Sequence, residues 1–292
     1  MYLIVGANGY LGRYMIKNIL SQTHDRVLAT YMRGNMPEPQ DRVTWQKCDI
    51  TNMQDLEMLY NKTKDDKIKV FFLAAYHHPD EVAKNPKIAW NVNVVALAKF
   101  LGLFDNIETL YYPSTEVVYG EMHDKPFTED SRLAPVSRYG ELKTVAERMV
   151  NVAGFNVVRF PVLMGPSLIP GVSHFYDVIV DTVRRGETME MFVDQKRSMI
   201  DFDTAAKIVV RLIETPIAHE YPIVNVSGDE ALSKYEIGVR ICKKYGLDES
   251  KIKAISMDDN NMIFQAKRAK STLLDNSLVK QILKLDELKI NI

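Results

Sequence analysis

The sequence predicts an α/β fold, a doubly wound parallel sheet followed by a small C-terminal lobe. Three observations lead there. Short apolar β runs alternate with helical patterns through the first half of the chain. A glycine-rich loop stands directly after the first apolar run. After Pro161 the texture changes: Gly165, Pro166, Pro170 and Gly171 cluster as loop breakers, and later strands are fewer and less regular.

Taken in order, Leu3-Ile4-Val5 reads as a buried strand and the stretch from about Tyr10 to Leu20 as a helix. A second strand is expected near Arg26–Met32, a third near Val43–Cys48 and a fourth over Ile68–Leu73. One long helix is expected over Lys84–Leu101. Thr109–Pro113 ends a fifth strand, Arg138–Asn151 forms the next helix, and Asn156–Phe160 is a sixth strand. Right-handed crossovers between such units give a doubly wound sheet, with ligands at its carboxyl edge where the strand order reverses.

Bulk properties narrow the function. A chain of 292 residues can form one large domain, or a core domain with a smaller lobe. The net charge of −1 offers no basic field, so neither nucleic acid nor an anionic membrane is an expected partner. Cys48 and Cys242 lie far apart without metal-type spacing and read as buried thiols; no metal site is expected. No apolar run reaches the roughly 20 residues of a membrane span. The N-terminus runs straight into a strand pattern without the regions of a signal peptide, so a cytoplasmic location is expected.

The loop after the first strand is Gly6-Ala7-Asn8-Gly9-Tyr10-Leu11-Gly12. Glycines at these places allow a tight turn, close approach of backbone to a pyrophosphate, and tight helix packing. The helix that follows offers free N–H groups and the positive end of its dipole to phosphates. These features make residues 1–165 a dinucleotide-binding Rossmann domain. Residues 200–216, with a helix over Asp203–Glu214, are expected to return to it, while 166–199 and 217–292 form the smaller, substrate-binding lobe. NAD sites place Asp or Glu about 20 residues on, at the end of the second strand. Here Tyr31, Met32 and Arg33 stand near that point, and Arg33 suits a 2′-phosphate, so NADP is favoured over NAD. Asp49, beside Ile50, either accepts from an adenine amino group or caps a helix with Thr51.

Pro113-Ser114-Thr115 follows the fifth strand, and Tyr139-Gly140-Glu141-Leu142-Lys143 opens the next helix. Tyr139 and Lys143 are four apart and share a helical face. An ammonium beside a phenol stabilises the phenolate and brings its pKa towards the working range. The hydroxyl of Ser114 or Thr115, with Thr115 preferred, can hold a substrate carbonyl while Tyr139 transfers the proton.

With this loop and these residues in this order, the chain resembles the extended short-chain dehydrogenase/reductase family, whose Ser/Thr–Tyr–Lys triad maps onto Thr115, Tyr139 and Lys143. A narrower resemblance, to dTDP-4-dehydrorhamnose reductase-like proteins, lies in Ala74-Ala75-Tyr76, Asp80, Pro86, Ala89 and Val92-Asn93. Ser114-Thr115-Glu116, the run Asp194-Gln195-Lys196-Arg197-Ser198-Met199-Ile200 leading to Asp203, and Arg268 to Asp275 add to it. The resemblance touches nearly the whole chain. It implies reduction of the 4-keto group of a nucleotide-linked deoxysugar by NADPH or NADH. It also implies cofactor contacts from Gly6, Asn8, Gly9, Tyr10, Leu11, Gly12, Arg33, Asp49, Ile50, Ala74, Ala75, Tyr76, Asn93, Pro113, Tyr139, Lys143, Phe160 and Val162. Asn93 then serves as a backbone or water anchor near Lys143, and a homodimer is an expectation of the family only.

The departures fall on the sugar side. His77-His78-Pro79 replaces a Thr-x-Val stretch and Val82-Ala83 an Ala-Glu; Met199 and Ala269 stand where proline is usual. Glu116 is followed by Val117, which argues against the Asp–Glu pair of a 4,6-dehydratase. Expected substrate contacts are His77, His78, Glu116 and Arg197, with Arg197 on the diphosphate or else in an ion pair with Asp201 or Asp203. The alternatives are an NAD-dependent sugar-nucleotide 4-epimerase or 4-dehydrogenase, and a non-catalytic NADP-binding regulatory subunit.

Overall fold

The computed structural model describes residues 1–122, 124–257 and 266–292. Strand β1 (Tyr2–Val5) leads into helix α1 (Tyr10–Gln22), followed by β2 (Val27–Tyr31), β3 (Val43–Lys47), α2 (Met53–Thr63) and β4 (Ile68–Phe72). Next come α3 (Pro79–Lys84), α4 (Pro86–Trp90), a π-helical turn (Asn91–Val95) and α5 (Ala96–Leu103). Strand β5 (Ile107–Thr115), helix α6 (Arg138–Val152) and strand β6 (Asn156–Phe160) complete the six-strand unit expected from sequence.

These strands form one parallel sheet in the order β3-β2-β1-β4-β5-β6, and the order reverses between β1 and β4. That is the Rossmann arrangement, with its ligand crevice at the carboxyl ends of β1 and β4. Every residue of β1 is buried, because helices cover both faces of the sheet. Leu56, Leu59, Leu97, Phe100, Ala146 and Val150 from α2, α5 and α6 fill one side. The other side is filled by α1 and by α8 (Phe202–Ile213), which pack on each other as the 200–216 expectation requires.

The smaller layer begins with β7 (Val162–Met164), α7 (Phe175–Arg184), β8 (Met189–Phe192) and β9 (Lys196–Asp201), which precede α8. After α8 come β10 (Ile223–Asn225), β11 (Ala231–Ser233), α9 (Lys234–Tyr245), β12 (Ile252–Ile255), β13 (Ser271–Thr272) and α10 (Ser277–Leu283). Strand β9 is the hub, pairing antiparallel with β11 and parallel with β7 and β13. Ile179, Val183, Met191, Ile237, Ile241 and Ile252 make a separate apolar core beneath it.

Three sequence expectations need correction. Residues 217–292 do not all belong to the smaller lobe: β10 pairs with β6 as a seventh strand of the main sheet, and Val279, Ile282 and Leu283 of α10 pack into the core beside α1 and α8. Part of the expected lobe, 258–265, lies outside the described residues. The helix expected over Lys84–Leu101 is broken, because Pro86 lacks an N–H and drives the preceding Asn85 out of helical geometry (φ −124°, ψ 59°). Strand β5 also runs two residues past Pro113, still paired with β6 up to Thr115 opposite Phe160. The β4 register stops at Tyr111, so the missing N–H of Pro113 costs no ladder bond on that side.

Candidate active site

The glycine loop closes over the crevice. Gly6 takes φ +85°, and a Cβ there would lie 2.8 Å from the Ala74 nitrogen. At Gly12 a Cβ would lie 2.7 Å from the carbonyl carbon of Ala7, so side chains at either place would force backbone apart. Thr30 ties the loop to β2, its Oγ1 accepting from Gly6 N at 2.9 Å. The N-cap of α1 is Gly9, with no side-chain cap and no acidic residue in the first turn. Its opening N–H groups and positive dipole end are thus available to an anion.

A cleft of about 700 Å³ runs from this loop to the end of β5. Of the expected cofactor contacts, Gly6, Gly9, Tyr10, Leu11, Gly12, Ala75, Pro113, Tyr139, Lys143 and Phe160 line it. The others stand elsewhere. Asn8 donates to the carbonyl of Arg33 at 3.2 Å, which places the exposed Arg33 beside the loop. Asp49 spends one carboxylate oxygen on Thr51, accepting from its N and Oγ1 at 2.9 and 2.7 Å. This is the capping alternative, while the cap of α2 itself is Asn52. Ile50 is buried in the apolar core on the α2 side of the sheet. Asn93, 2% exposed, accepts from Tyr76 N at 2.8 Å and donates to Tyr76 O at 2.9 Å. It is a backbone anchor that pins the segment Ala74-Ala75-Tyr76 from the π-helical turn. Val162 lines a second cavity rather than this cleft.

Thr115 and Ser114 part company at the strand end. Ser114 is buried and its hydroxyl is bonded to the Glu147 carboxylate, while Thr115 is partly exposed on the cleft wall. Glu147 in turn pairs with Arg159 at 2.7 Å; these side chains are 2% and 1% exposed. Arg159 Nη1 donates to Tyr119 Oη, which bonds Asn225 at 2.9 Å, so the charges sit in a satisfied network beneath the site.

Lys143 donates to Tyr112 Oη at 2.7 Å and to the carbonyl of Pro113, with Nζ 3.9 Å from the centre of the Tyr112 ring. Burial pushes its pKa down to about 7, against the pull of Glu147. The half-buried Tyr139 corrects another expectation. Lys143 was expected to lower its pKa, but burial of the phenol raises it above the ordinary range, because burial disfavours the charged phenolate. Tyr139 is therefore a protonated donor at neutral pH. His77 and His78 stack with ring centres 4.3 Å apart at the far end of the cleft. Burial, His78 and Lys143 lower the pKa of His77.

The second cavity, of about 420 Å³, adjoins the first; His78, Leu163, His174 and Phe175 line both. Its wall holds Glu116 and Arg197, paired at 3.1 Å. The ion pair expected for Arg197 with Asp201 or Asp203 is not formed: Asp201 caps α8, and Asp203 pairs with Lys17. Arg197 also donates to the carbonyls of Lys196, Ala269 and Lys270, so its fork is occupied by protein and is not open for bidentate binding of a diphosphate. Burial raises Glu116 to about 8 despite Arg197, and its Oε2 has no partner. Sequence reasoning missed Lys234, which lines this cavity at the start of α9 and is pushed down to about 8 by burial, Arg268 and Arg197. It also missed His174 and Tyr112. Lys234 and His174 reach the site from distant elements, whereas Tyr112 stands on β5 directly before Pro113 and is hidden in an apolar strand pattern. No helix among the described residues is long and apolar enough to cross a membrane.

Comparison with known proteins agrees with this fold. Residues 1–289 match the model of the RmlD substrate binding domain family. The chain is 25% identical to the probable low-salt glycan biosynthesis reductase of Haloferax volcanii, over 96% of this chain and 91% of that protein. It is 27% identical to methionine adenosyltransferase 2 subunit beta of Rattus norvegicus, over 96% of this chain and 81% of the other. Among solved structures, the dTDP-4-dehydrorhamnose reductase of Bacillus anthracis in complex with NADP superposes with a TM-score of 0.80. It is 18% identical, covering 99% of this chain and 94% of that one, and shares the fold.

Proposed function

The chain belongs to the RmlD substrate binding domain family, and on that premise we propose that it is an NADP(H)-dependent reductase of the 4-keto group of a nucleotide-linked deoxysugar. One observation carries the reading: the glycine loop, Thr115, Tyr139 and Lys143 meet in a single cleft that opens into a second cavity. The loop and the uncapped α1 N-terminus fit a pyrophosphate, and Arg33, without a carboxylate nearby on β2, fits a 2′-phosphate.

A nicotinamide bound there supplies the hydride. Thr115 donates a hydrogen bond to the keto oxygen and orients it. Tyr139, protonated at neutral pH, gives its proton to the oxygen as charge develops. Lys143 stabilises the resulting phenolate and holds ribose hydroxyls. His77 and His78 face the sugar, Lys234 supplies positive charge for the diphosphate, and the Glu116–Arg197 pair shapes the wall.

The test is NADPH consumption with a panel of dTDP- and UDP-linked 4-keto-6-deoxysugars. Turnover with NADPH in excess over NADH supports the reading. NAD retained through purification, with interconversion of C4 epimers and no added cofactor, replaces it with an epimerase. The relationship to an adenosyltransferase subunit favours a regulatory alternative, for which the result is tight NADPH binding without turnover of any keto-sugar.

A further inference from the structure

Tyr112 has no part in the reaction described above, yet its hydroxyl is bonded to Lys143. It sits on β5 with 2% exposure, under a lysine that is equally buried. Lys143 Nζ spends two protons, one on Tyr112 Oη and one on the Pro113 carbonyl, while Nζ stands over the Tyr112 ring. A carbonyl can only accept. A phenol can accept from an ammonium and donate to an amine. The phenol therefore satisfies both states of the lysine, where a buried amine would otherwise face only an acceptor. We propose that Tyr112 is a positioning residue of the site: its hydroxyl holds Lys143 in either protonation state and leaves the remaining proton directed to the cofactor cleft that Lys143 lines.

This rests on the reductase reading for its functional consequence, though not for the contact itself. The titratable groups that face Lys143 are Tyr112 from β5, Tyr139 and Glu147 from α6, and His77 from the segment after β4. Of these, Glu147 raises the lysine and is itself engaged by Ser114 and Arg159. Among the described residues, Tyr112 is the one hydroxyl bonded to it. Removing that oxygen takes a partner from both states, but the bond lost by the ammonium is charge-assisted and the stronger of the two, so the lysine titrates lower.

The experiment compares wild type, Tyr112→Phe and Tyr111→Phe. Tyr111 is a buried neighbour whose hydroxyl has no partner, so its variant controls for loss of a phenol on the same strand. Competitive trace acetylation, read by peptide mass spectrometry across pH, reports the titration of Lys143 without any turnover. The expected result is a midpoint about one pH unit lower in Tyr112→Phe, the difference between a charge-assisted and a neutral hydrogen bond, and no shift in Tyr111→Phe. The alkaline limb of kcat/KM moves with it: activity falls about ten-fold at pH 8 and less than about three-fold at pH 6. An unchanged midpoint in Tyr112→Phe, or an activity loss uniform across pH, overturns the proposal. If the midpoint moves and wild type reduces no keto-sugar, the functional reading falls while the hold of Tyr112 on Lys143 stands.

Discussion

Lys143→Met should make the protein more stable and inactive. The ammonium of Lys143 is buried among β5 and α6, and its pKa lies near 7 instead of the ordinary lysine value of 10.5. Each pH unit of that difference is worth roughly 1.4 kcal/mol, so the charged native state carries at most about 5 kcal/mol of penalty. Methionine removes the charge and keeps an unbranched chain whose sulfur can rest against the Tyr112 ring. It also strips the donor from Tyr112 Oη and Pro113 O, which costs about 1–3 kcal/mol. The net gain is about 2–4 kcal/mol below neutral pH. The sign follows from the depressed pKa. Below pH 7 the lysine is charged in both folded and unfolded chains, and the penalty is fully present. Between 7 and 10.5 the native protein sheds the proton first, wild type recovers stability, and the advantage of methionine shrinks. Urea unfolding at pH 6 and pH 10 reads both ends. An advantage that is absent at pH 6, or equal at the two pH values, would refute the claim that burial of this charge is a cost borne for function.

Other perturbations follow from the same contacts. Gly12→Ala forces a Cβ onto the backbone of Ala7, so calorimetry should find NADPH at least about ten-fold weaker and unfolding easier by about 1–3 kcal/mol. In Arg33→Ala, fluorescence titration should find NADPH about ten-fold weaker and NADH unchanged; equal losses would make Arg33 a general loop charge. Glu147→Gln leaves Arg159 buried without its counter-charge, and the urea midpoint should report a loss of about 3–5 kcal/mol.

Legibility in the sequence tracks the range of the interactions. The glycine loop, the strand-end hydroxyl and the Tyr139–Lys143 pair are local signals, each read from residues close together in the chain, and all of them line the cleft. The parallel sheet was equally legible, because strands buried on both faces read as apolar runs. What escaped depends on partners far along the chain. Arg197 chooses Glu116 over the nearby Asp201 and Asp203 through the packing of β9 against the β5 end. Ile223–Asn225 joins the main sheet as three residues, too short for any periodicity to show. The break at Asn85 was visible in Pro86, whereas the π-helical turn is recognisable only once Asn93 is seen anchoring Tyr76. The direction of the Tyr139 shift was misjudged because spacing reports the neighbouring lysine but not the burial of the phenol.

The central claim is that this cleft moves a hydride from a nicotinamide to a sugar carbonyl, with Tyr139 as proton donor. NADPH deuterated at C4 of the nicotinamide, incubated with a dTDP-linked 4-keto-6-deoxysugar, tests it most directly. Product should carry one deuterium at sugar C4 with wild type, from one face of the nicotinamide only, and transfer should be at least about a hundred-fold slower with Tyr139→Phe. Product without deuterium, or undiminished transfer in the variant, would contradict it.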